Sequence, residues 1–538
     1  MERRGHVFVV RGDVNSIACD WQLVPAGTDA IGAGHIKPHW FASREFQAQW
    51  DQHTRRFAPD RERRAVALPK EAGRRGFIVV HTGETGHESP AWFADAIHAA
   101  ARLLTDSSEH PLHGRERPLV ALPMLGTGGG GAGQRRAGVM QALLGTAEAV
   151  ADDIEVDFVL VVRDAQSYSA AQRIRSERTP APWDRHLDND MIADAERLAR
   201  SARAGSLVAF IGSGLSATSG LPDWRQLLED LGRLAELDDD ELKDLNGLDA
   251  RDAGAVLETR LGGSRGLDDA LRKCFAGDWH PSLSHYLVAS LPITEAATTN
   301  YDTLFETAWQ AATGAAPAVL PRQQATASSE RWLLKLHGDL ADAQRRRPLV
   351  LSREQYLRFE QSSAAIAAVV QAMLLTRHLL ITGFGLNDET FHRIAHDVRQ
   401  IRRTNETSSM AEGADQEGRS GTAVLVRPAG LVHQVWQEDL DLLQLAADGA
   451  SLQAASRRQE ILLDLLGHLA ASPEAYLLGD GWQELSQPGA DAELRRALET
   501  VEQVVARGDL TQPLARAARD TLRRFGLPGD LTVTGTAR

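Results

Sequence analysis

Cysteine is scarce in this sequence: Cys19 and Cys274 are the only two in 538 residues. Two thiols build no disulfide framework, which fits a reducing compartment. They also exclude a four-cysteine zinc site within one chain. Long apolar runs are missing. The stretch 364–370 is far too short to span a bilayer. The opening Met-Glu-Arg-Arg-Gly-His leads into an apolar run broken by Arg11 and Asp13, unlike a secretory signal. These absences imply a cytoplasmic protein with no membrane partner. Basic residues are the minority, with 59 Lys+Arg against 73 Asp+Glu and a net charge of −14. That balance argues against direct nucleic-acid binding. No repeat occurs at solenoid periods. With 43% hydrophobic and 25% charged residues, the composition is that of an ordinary globular protein, which excludes disorder throughout.

What is present is an alternation of β and α signals. Apolar β-type runs occur at 6–10, 77–80, 119–122, 158–162, 207–211, 295–298, 332–336, 378–381 and 422–426. Between most of them lie Ala/Leu/Arg-rich stretches with helical spacing, such as 92–104. Strands alternating with helices predict α/β architecture, with parallel sheets covered on both faces. The length suits about three domains. The stretch 166–190, with Thr179-Pro180-Ala181-Pro182, reads as a linker. After Leu431 the composition shifts to Leu/Ala/Arg/Glu with helical periodicity. The expected domains are therefore 1–175, 176–435 and a mostly helical 436–538. In the last, Leu440, Leu442, Leu443 and the leucines of 461–466 are candidate core. Arg495, Arg496, Arg507, Arg516, Arg519, Arg523 and Arg524 read as a solvated helix face. Residues 403–420 read as an exposed loop.

The strongest chemical signal starts at Leu207. An apolar strand runs into Gly212-Ser213-Gly214 and on toward a helix. Glycines at such a turn let backbone approach a pyrophosphate, and a helix N-terminus offers free N–H groups. Three more polar segments follow expected strands: Thr299-Asn300-Tyr301-Asp302, His337-Gly338-Asp339 and Gly383-Phe384-Gly385-Leu386-Asn387-Asp388. Segments just past strand C-termini converge on one crevice in an open parallel sheet. Asn300 could orient a water or a ribose through its amide. Asp302 could bind hydroxyls or offset positive charge. His337 could act as a general base near neutral pH. Taken singly, Asn300 also suits a turn, Asp302 a helix N-cap, and His337 a hydrogen-bonded structural histidine. No other histidine has a comparable context.

Together the four segments resemble the sirtuin-like NAD-consuming domains, over about residues 190–430. Gly212-Ser213-Gly214-Leu215-Ser216, with 219–225, resembles the first NAD loop of that family. The Asn300/Asp302 segment resembles its ribose motif, His337-Gly338 its catalytic His-Gly, and Gly383-Phe384-Gly385 its last nucleotide-binding strand end. The resemblance implies a central Rossmann-like parallel sheet and NAD+ as substrate. It implies NAD contacts at Gly212, Ser213, Gly214, Ser216, Gly383 and Gly385, with Asp223 and Arg225 bordering the nicotinamide pocket. Asn300 and His337 would be the catalytic pair, assisted by Asp302. Protein-deacylating sirtuins typically carry a four-cysteine zinc module after the His-Gly; the interval 339–378 contains no cysteine. The domain looks more like the zinc-less domains of bacterial anti-phage proteins that hydrolyse NAD. No metal is expected, and the resembling family makes a homo-oligomer the expectation.

Nearer the N-terminus, Gly12-Asp13 follows a strand, and a second strand feeds Gly126-Thr127-Gly128-Gly129-Gly130-Gly131. Consecutive glycines are most useful where backbone meets a ligand such as a phosphate; a flexible loop is the alternative. The pattern resembles a macro domain, which implies an ADP-ribose-type nucleotide ligand, with Asp20 at the adenine and Gly126–Gly131 on the diphosphate. The asparagines that the family carries after that Asp are replaced here, with Val24 and Gly27 standing in that stretch, so a sensing role is expected over adduct hydrolysis.

The resulting expectation is an NAD+ glycohydrolase acting as an anti-phage effector that depletes NAD+, switched by a nucleotide on the macro-like domain. NAD-dependent deacylation or ADP-ribosyl transfer is a second reading, and a non-catalytic NAD or ADP-ribose sensor is a third.

Overall fold

A computed structural model describes residues 5–527, apart from 28–38, 41–42, 54–63, 84–87, 106–109, 128–131, 327–328, 346, 348, 363, 407–418, 429, 447–448, 486–488 and 509–510. Gly128–Gly131 and most of the 403–420 loop therefore lie outside the described residues. The chain forms two compact units. One comprises residues 1–112, 117–186 and 471–538; the other comprises 113–116 and 187–470.

The first unit is built on a six-stranded sheet. Its strands are β1 (Val7–Arg11), β2 (Trp21–Ala26), β3 (Ala65–Ala67), β4 (Gly76–His81), β5 (Leu119–Pro123) and β6 (Asp157–Val162), in the spatial order β1-β6-β5-β2-β4-β3. All neighbours pair in parallel except β3, which runs antiparallel to β4. Every residue of β4 and β6 is buried. That is why both read as unbroken apolar runs: helices cover both faces. Helix Ala165–Ser176 occupies much of the stretch expected as a linker. Asp164 caps it, accepting from Ser167 N at 2.7 Å. Tyr168, Ala171 and Ile174 carry its apolar face into the core.

The second unit carries seven strands: β7 (Leu207–Ile211), β8 (Glu295–Thr298), β9 (Ala318–Leu320), β10 (Trp332–Lys335), β11 (His378–Thr382), β12 (Gly421–Leu425) and β13 (Leu440–Gln444). Their order is β13-β12-β11-β7-β8-β10-β9, all parallel. After β7 the chain adds strands on one side through β10, then crosses to add β11 on the other. The resulting switch point lies beside β7, where the crevice of an open α/β sheet is expected.

All nine strands anticipated from apolar runs form; β2, β3, β9 and β13 were not anticipated. β13 lies beyond the cut expected at residue 435, in a stretch read as helical. Its leucines do lie in the core or beside it, but as a strand paired to β12. Helix Leu452–Ala470 then packs on helix Asn189–Arg203. The stretch 436–470 thus belongs to the second unit, while Tyr476, Leu477 and Trp482 enter the core of the first. Apolar spacing reports that a segment is buried, not which sheet it joins.

Candidate active site

Four loops leave the C-terminal ends of β7, β8, β10 and β11 and enclose a cavity of about 440 Å³. Ser213, Ser216, Asn300, Asp302, His337, Gly383 and Gly385 all line it. An adjoining cavity of about 1170 Å³ is lined by Ser213, Gly214, Asp223, Arg225, Gly383 and Gly385. Ten of the eleven residues expected at this site line one cavity or the other. Gly212 lines neither. Asp223 and Arg225, expected to border the nicotinamide pocket, line the adjoining cavity. The Asp223 carboxylate caps helix Trp224–Leu234, accepting from Gln226 N at 3.0 Å.

Gly212 supports the site through packing. A Cβ there would lie 2.4 Å from the Gly383 carbonyl oxygen, and one on Gly214 would lie 2.8 Å from the same atom. Gly383 itself adopts φ +65°. Glycines at these points let the β7 and β11 loops touch backbone to backbone.

At the cavity wall, Ser216 ties the segment after β7 to the loop after β8 and to helix Leu283–Ala289. Its hydroxyl donates to Asp302 Oδ2 at 2.9 Å and accepts from Asn300 Nδ2 at 3.1 Å. His285 Nε2 lies 3.4 Å from the same oxygen. His285 Nδ1 accepts from Ser282 N at 3.1 Å, so the ring proton of the neutral form sits on Nε2. Burial pushes His285 down to about 4, against the opposing charge of Asp302. The other Asp302 oxygen accepts from Leu304 N at 3.0 Å at the start of helix Leu304–Thr313. Asp302 therefore serves the helix end and the site together.

With its Nδ2 held by Ser216, Asn300 turns Oδ1 toward the cavity. That oxygen and His337 Nε2 are both buried, and neither has a hydrogen-bond partner among the described residues. Burial lowers the pKa of His337 and the Asp388 charge opposes that shift, leaving a neutral imidazole at neutral pH. Tyr356, Tyr301, Trp224, Phe275 and Phe384 supply apolar wall.

Behind the loops, the fully buried Lys335 ties two of them together. Its ammonium donates to the carbonyl oxygens of Tyr301 at 3.2 Å and Asp302 at 2.5 Å, to Glu306 Oε1 at 2.8 Å and to Asp339 Oδ1 at 3.3 Å. Burial disfavours its charge, but Glu306, Asp339 and Asp302 outweigh it and hold the pKa above the usual lysine range.

Sequence reasoning missed His285, Lys335, Tyr356 and Asp388 as site residues. Ser282 and His285 form a capping box, a signal that marks a helix start but not the reach of the ring toward Ser216. Among the described residues no group of three His, Cys, Asp or Glu side chains could hold a metal ion, and no helix is long and apolar enough to cross a membrane.

In the first unit, Asp20 is buried, and its two oxygens accept from Leu112 N at 2.6 Å and Leu119 N at 2.7 Å. The carboxylate expected at an adenine is thus engaged by backbone. Gly126 has φ +75°, and a Cβ there would lie 2.3 Å from the Phe93 ring. Thr127 Oγ1 donates to Met124 O at 3.3 Å.

An open parallel sheet with a polar crevice at its switch point defines the second unit as a Rossmann-like α/β domain. Comparison with known proteins narrows this. Residues 294–423 match the profile described as SIR2-like domain. A stretch of 218 residues is 27% identical to defense-associated sirtuin 2 of Bacillus subtilis, covering 40% of this chain and 22% of that protein. Another of 217 residues is 30% identical to the NAD(+) hydrolase ThsA of Enterococcus faecium, covering 39% of this chain and 44% of that protein. ThsA of Cytobacillus dafuensis is 27% identical over 196 residues, covering 36% of the chain and 38% of that protein. The chain thus spans less than half the length of each of these relatives.

Proposed function

We propose that this protein is an NAD+ glycohydrolase that cleaves the nicotinamide–ribose bond and serves as a bacterial anti-phage effector by depleting NAD+. The observation that carries the reading is the pair of buried polar atoms, Asn300 Oδ1 and His337 Nε2, on residues that line one cavity, neither with a hydrogen-bond partner among the described residues. Buried polar groups are normally satisfied, so two such atoms on one cavity suit a polar ligand. The names of the relatives, NAD(+) hydrolase and defense-associated sirtuin, support the same assignment.

The chemistry follows from the residues. Cleavage of an N-glycosidic bond passes through an oxocarbenium-like state. Asn300 Oδ1 accepts from a ribose hydroxyl or from the attacking water. His337, neutral at the working pH, takes the proton from that oxygen. The Asp302 carboxylate offsets the positive charge developing on the ribose. The loop Gly212–Ser216, with Gly383 and Gly385, borders the rest of the dinucleotide. NAD+ is the substrate and no zinc takes part.

The first unit is proposed to be a macro-like domain that binds an ADP-ribose-type nucleotide at Gly126–Gly131 and switches the enzyme. In this reading Asp20 frames the site through the backbone at Leu112 and Leu119. The protein works in the cytoplasm as a homo-oligomer.

Incubation of the purified protein with NAD+, with and without ADP-ribose-type nucleotides, tests the assignment by quantifying nicotinamide, ADP-ribose and cyclic products. The expected result is nicotinamide release without acyl-peptide, abolished by His337→Ala and by Asn300→Ala. Cleavage that survives both substitutions would overturn the site. Release only with acyl-peptide would turn the reading to deacylation, and label passing from NAD+ to protein would turn it to ADP-ribosyl transfer.

A further inference from the structure

Asp388 stands at the start of helix Glu389–Glu406, where Oδ1 accepts from Phe391 N at 2.9 Å. Capping needs only one carboxylate oxygen. The other, Oδ2, turns to the cavity side. It accepts from Tyr356 OH at 3.1 Å and stands 3.5 Å from His337 Nε2. The His337 ring meets the Tyr356 ring edge-on, with centroids 5.2 Å apart and planes at 72°. Tyr356 therefore touches both members of the pair.

We propose that Asp388 is the positioning residue for His337: it aims the imidazole and, with Tyr356, stabilises the imidazolium that forms when His337 accepts a proton. The proposal rests on the NAD-cleavage reading. In that reaction the water O–H proton passes to the other ring nitrogen, His337 Nδ1, while Nε2, 3.5 Å from Asp388 Oδ2, keeps its proton toward the carboxylate. The water oxygen bonds to the ribose C1′, and the electrons of the C1′–N bond leave with neutral nicotinamide. Positive charge then sits on a ring in surroundings that disfavour it. An orienting carboxylate behind a histidine base is a general solution to this problem.

Other charged groups at the cavity have their own partners. Asp302 binds Ser216. Glu389 faces Arg251 at 3.2 Å, and Arg251 also pairs with Asp249. The Tyr301 hydroxyl donates to Val350 O. Lys335 and Asp339, on the His337 loop, pair with each other and line a different cavity. Asp388 is the charged group whose field acts on His337, opposing the effect of burial.

The test compares wild type, Asp388→Asn, Asp388→Glu and Tyr356→Phe. Asparagine caps helices about as well as aspartate, so Asp388→Asn keeps the helix start while removing the charge. Its expected effect is a fall in kcat/KM of roughly tenfold to a hundredfold. The acid limb of the pH profile should move to lower pH, because the charge that favoured protonated His337 is gone. Asp388→Glu should hold the limb near its wild-type position. Tyr356→Phe should reduce kcat/KM less than Asp388→Asn does. In parallel, NMR titration of ring-labelled histidine, assigned with His337→Gln, follows the imidazole without turnover. His337 should titrate at lower pH in Asp388→Asn. A coincident titration, or an unmoved acid limb, would overturn the proposal by reducing Asp388 to a helix cap. If the wild type cleaves no NAD+, the enzyme reading fails, while the NMR shift still decides whether the pair is coupled.

Discussion

Asn300 Nδ2 donates to Ser216 Oγ at 3.1 Å, and that bond determines which end of the amide faces the cavity. Ser216 spends its one proton on Asp302 Oδ2, so it can only accept from Asn300. The amide nitrogen must therefore point to Ser216 and Oδ1 to the cavity. Ser216→Ala removes this constraint and strips Asp302 of a donor. NAD cleavage should fall on the order of tenfold to a hundredfold in kcat, the scale of losing one positioning contact at a reacting centre. Thermal stability should change little beside that loss. Steady-state kinetics with a melting curve checks both; an unaltered kcat would mean the amide needs no hub.

His285 makes the same network sensitive to acid. Burial holds its folded pKa at about 4, against an ordinary value of 6.5. The unfolded chain then binds the extra proton, so stability is full above pH 6.5 and is lost as pH falls toward 4. His337 and His378 are also depressed by burial and act in the same direction. Denaturant unfolding at a series of pH values should show the second unit weakening across this window. His285→Gln should flatten part of the slope. An equally steep slope in that variant would assign the acid sensitivity to other groups.

Lys335 gives a stability test separate from the chemistry. Lys335→Met leaves Glu306 without its cation and Asp339 with Arg322 alone, at 2.7 Å. Removing one partner from a buried ionic cluster costs about 3–5 kcal/mol. Adding Glu306→Gln should recover part of that loss, since the residual unpaired carboxylate is then neutral. Denaturant midpoints of the single and double variants measure it. A single variant as stable as wild type would mean water reaches the cluster.

The parts of the site that were legible in the sequence share one property. Gly212–Ser216, Asn300, His337 and Gly383–Gly385 each directly follow an apolar run, and topology carries such segments to one crevice. What could not be read depends on pairing across distance. The contact of Ser216 with His285 spans 69 residues, and that of His337 with Asp388 depends on β11 crossing back beside β7. Lys335 reads as the polar end of a strand, and nothing local reveals four acceptors around it. β13 escaped for a related reason. Its leucines fit a helix face as well as a strand until β12 is known to lie beside them.

The glycine at position 212 separates two physical roles that look alike in sequence. Expected at a phosphate, it lines neither cavity and instead faces the β11 loop. An added methyl would sit 2.4 Å from Gly383 O and 2.6 Å from Phe384 Cα, both backbone atoms that cannot rotate away. Overpacking of this kind costs about 1–3 kcal/mol. Relief would come from pushing the β11 loop outward, away from the Gly212–Ser216 loop. Gly385→Ala is the matched control, because the nearest atom to its new methyl is Asn387 Nδ2 at 3.8 Å. Gly212→Ala should lower the denaturant midpoint while Gly385→Ala leaves it in place. Gly212→Ala should also weaken NAD+ binding, measured by titration of the His337→Ala background, since the displaced loops carry Ser213, Ser216, Gly383 and Gly385 with them. Equal stability in the two alanine variants would show that the loops have room to spare, and the close approach at Gly212 would then not be what fixes the crevice.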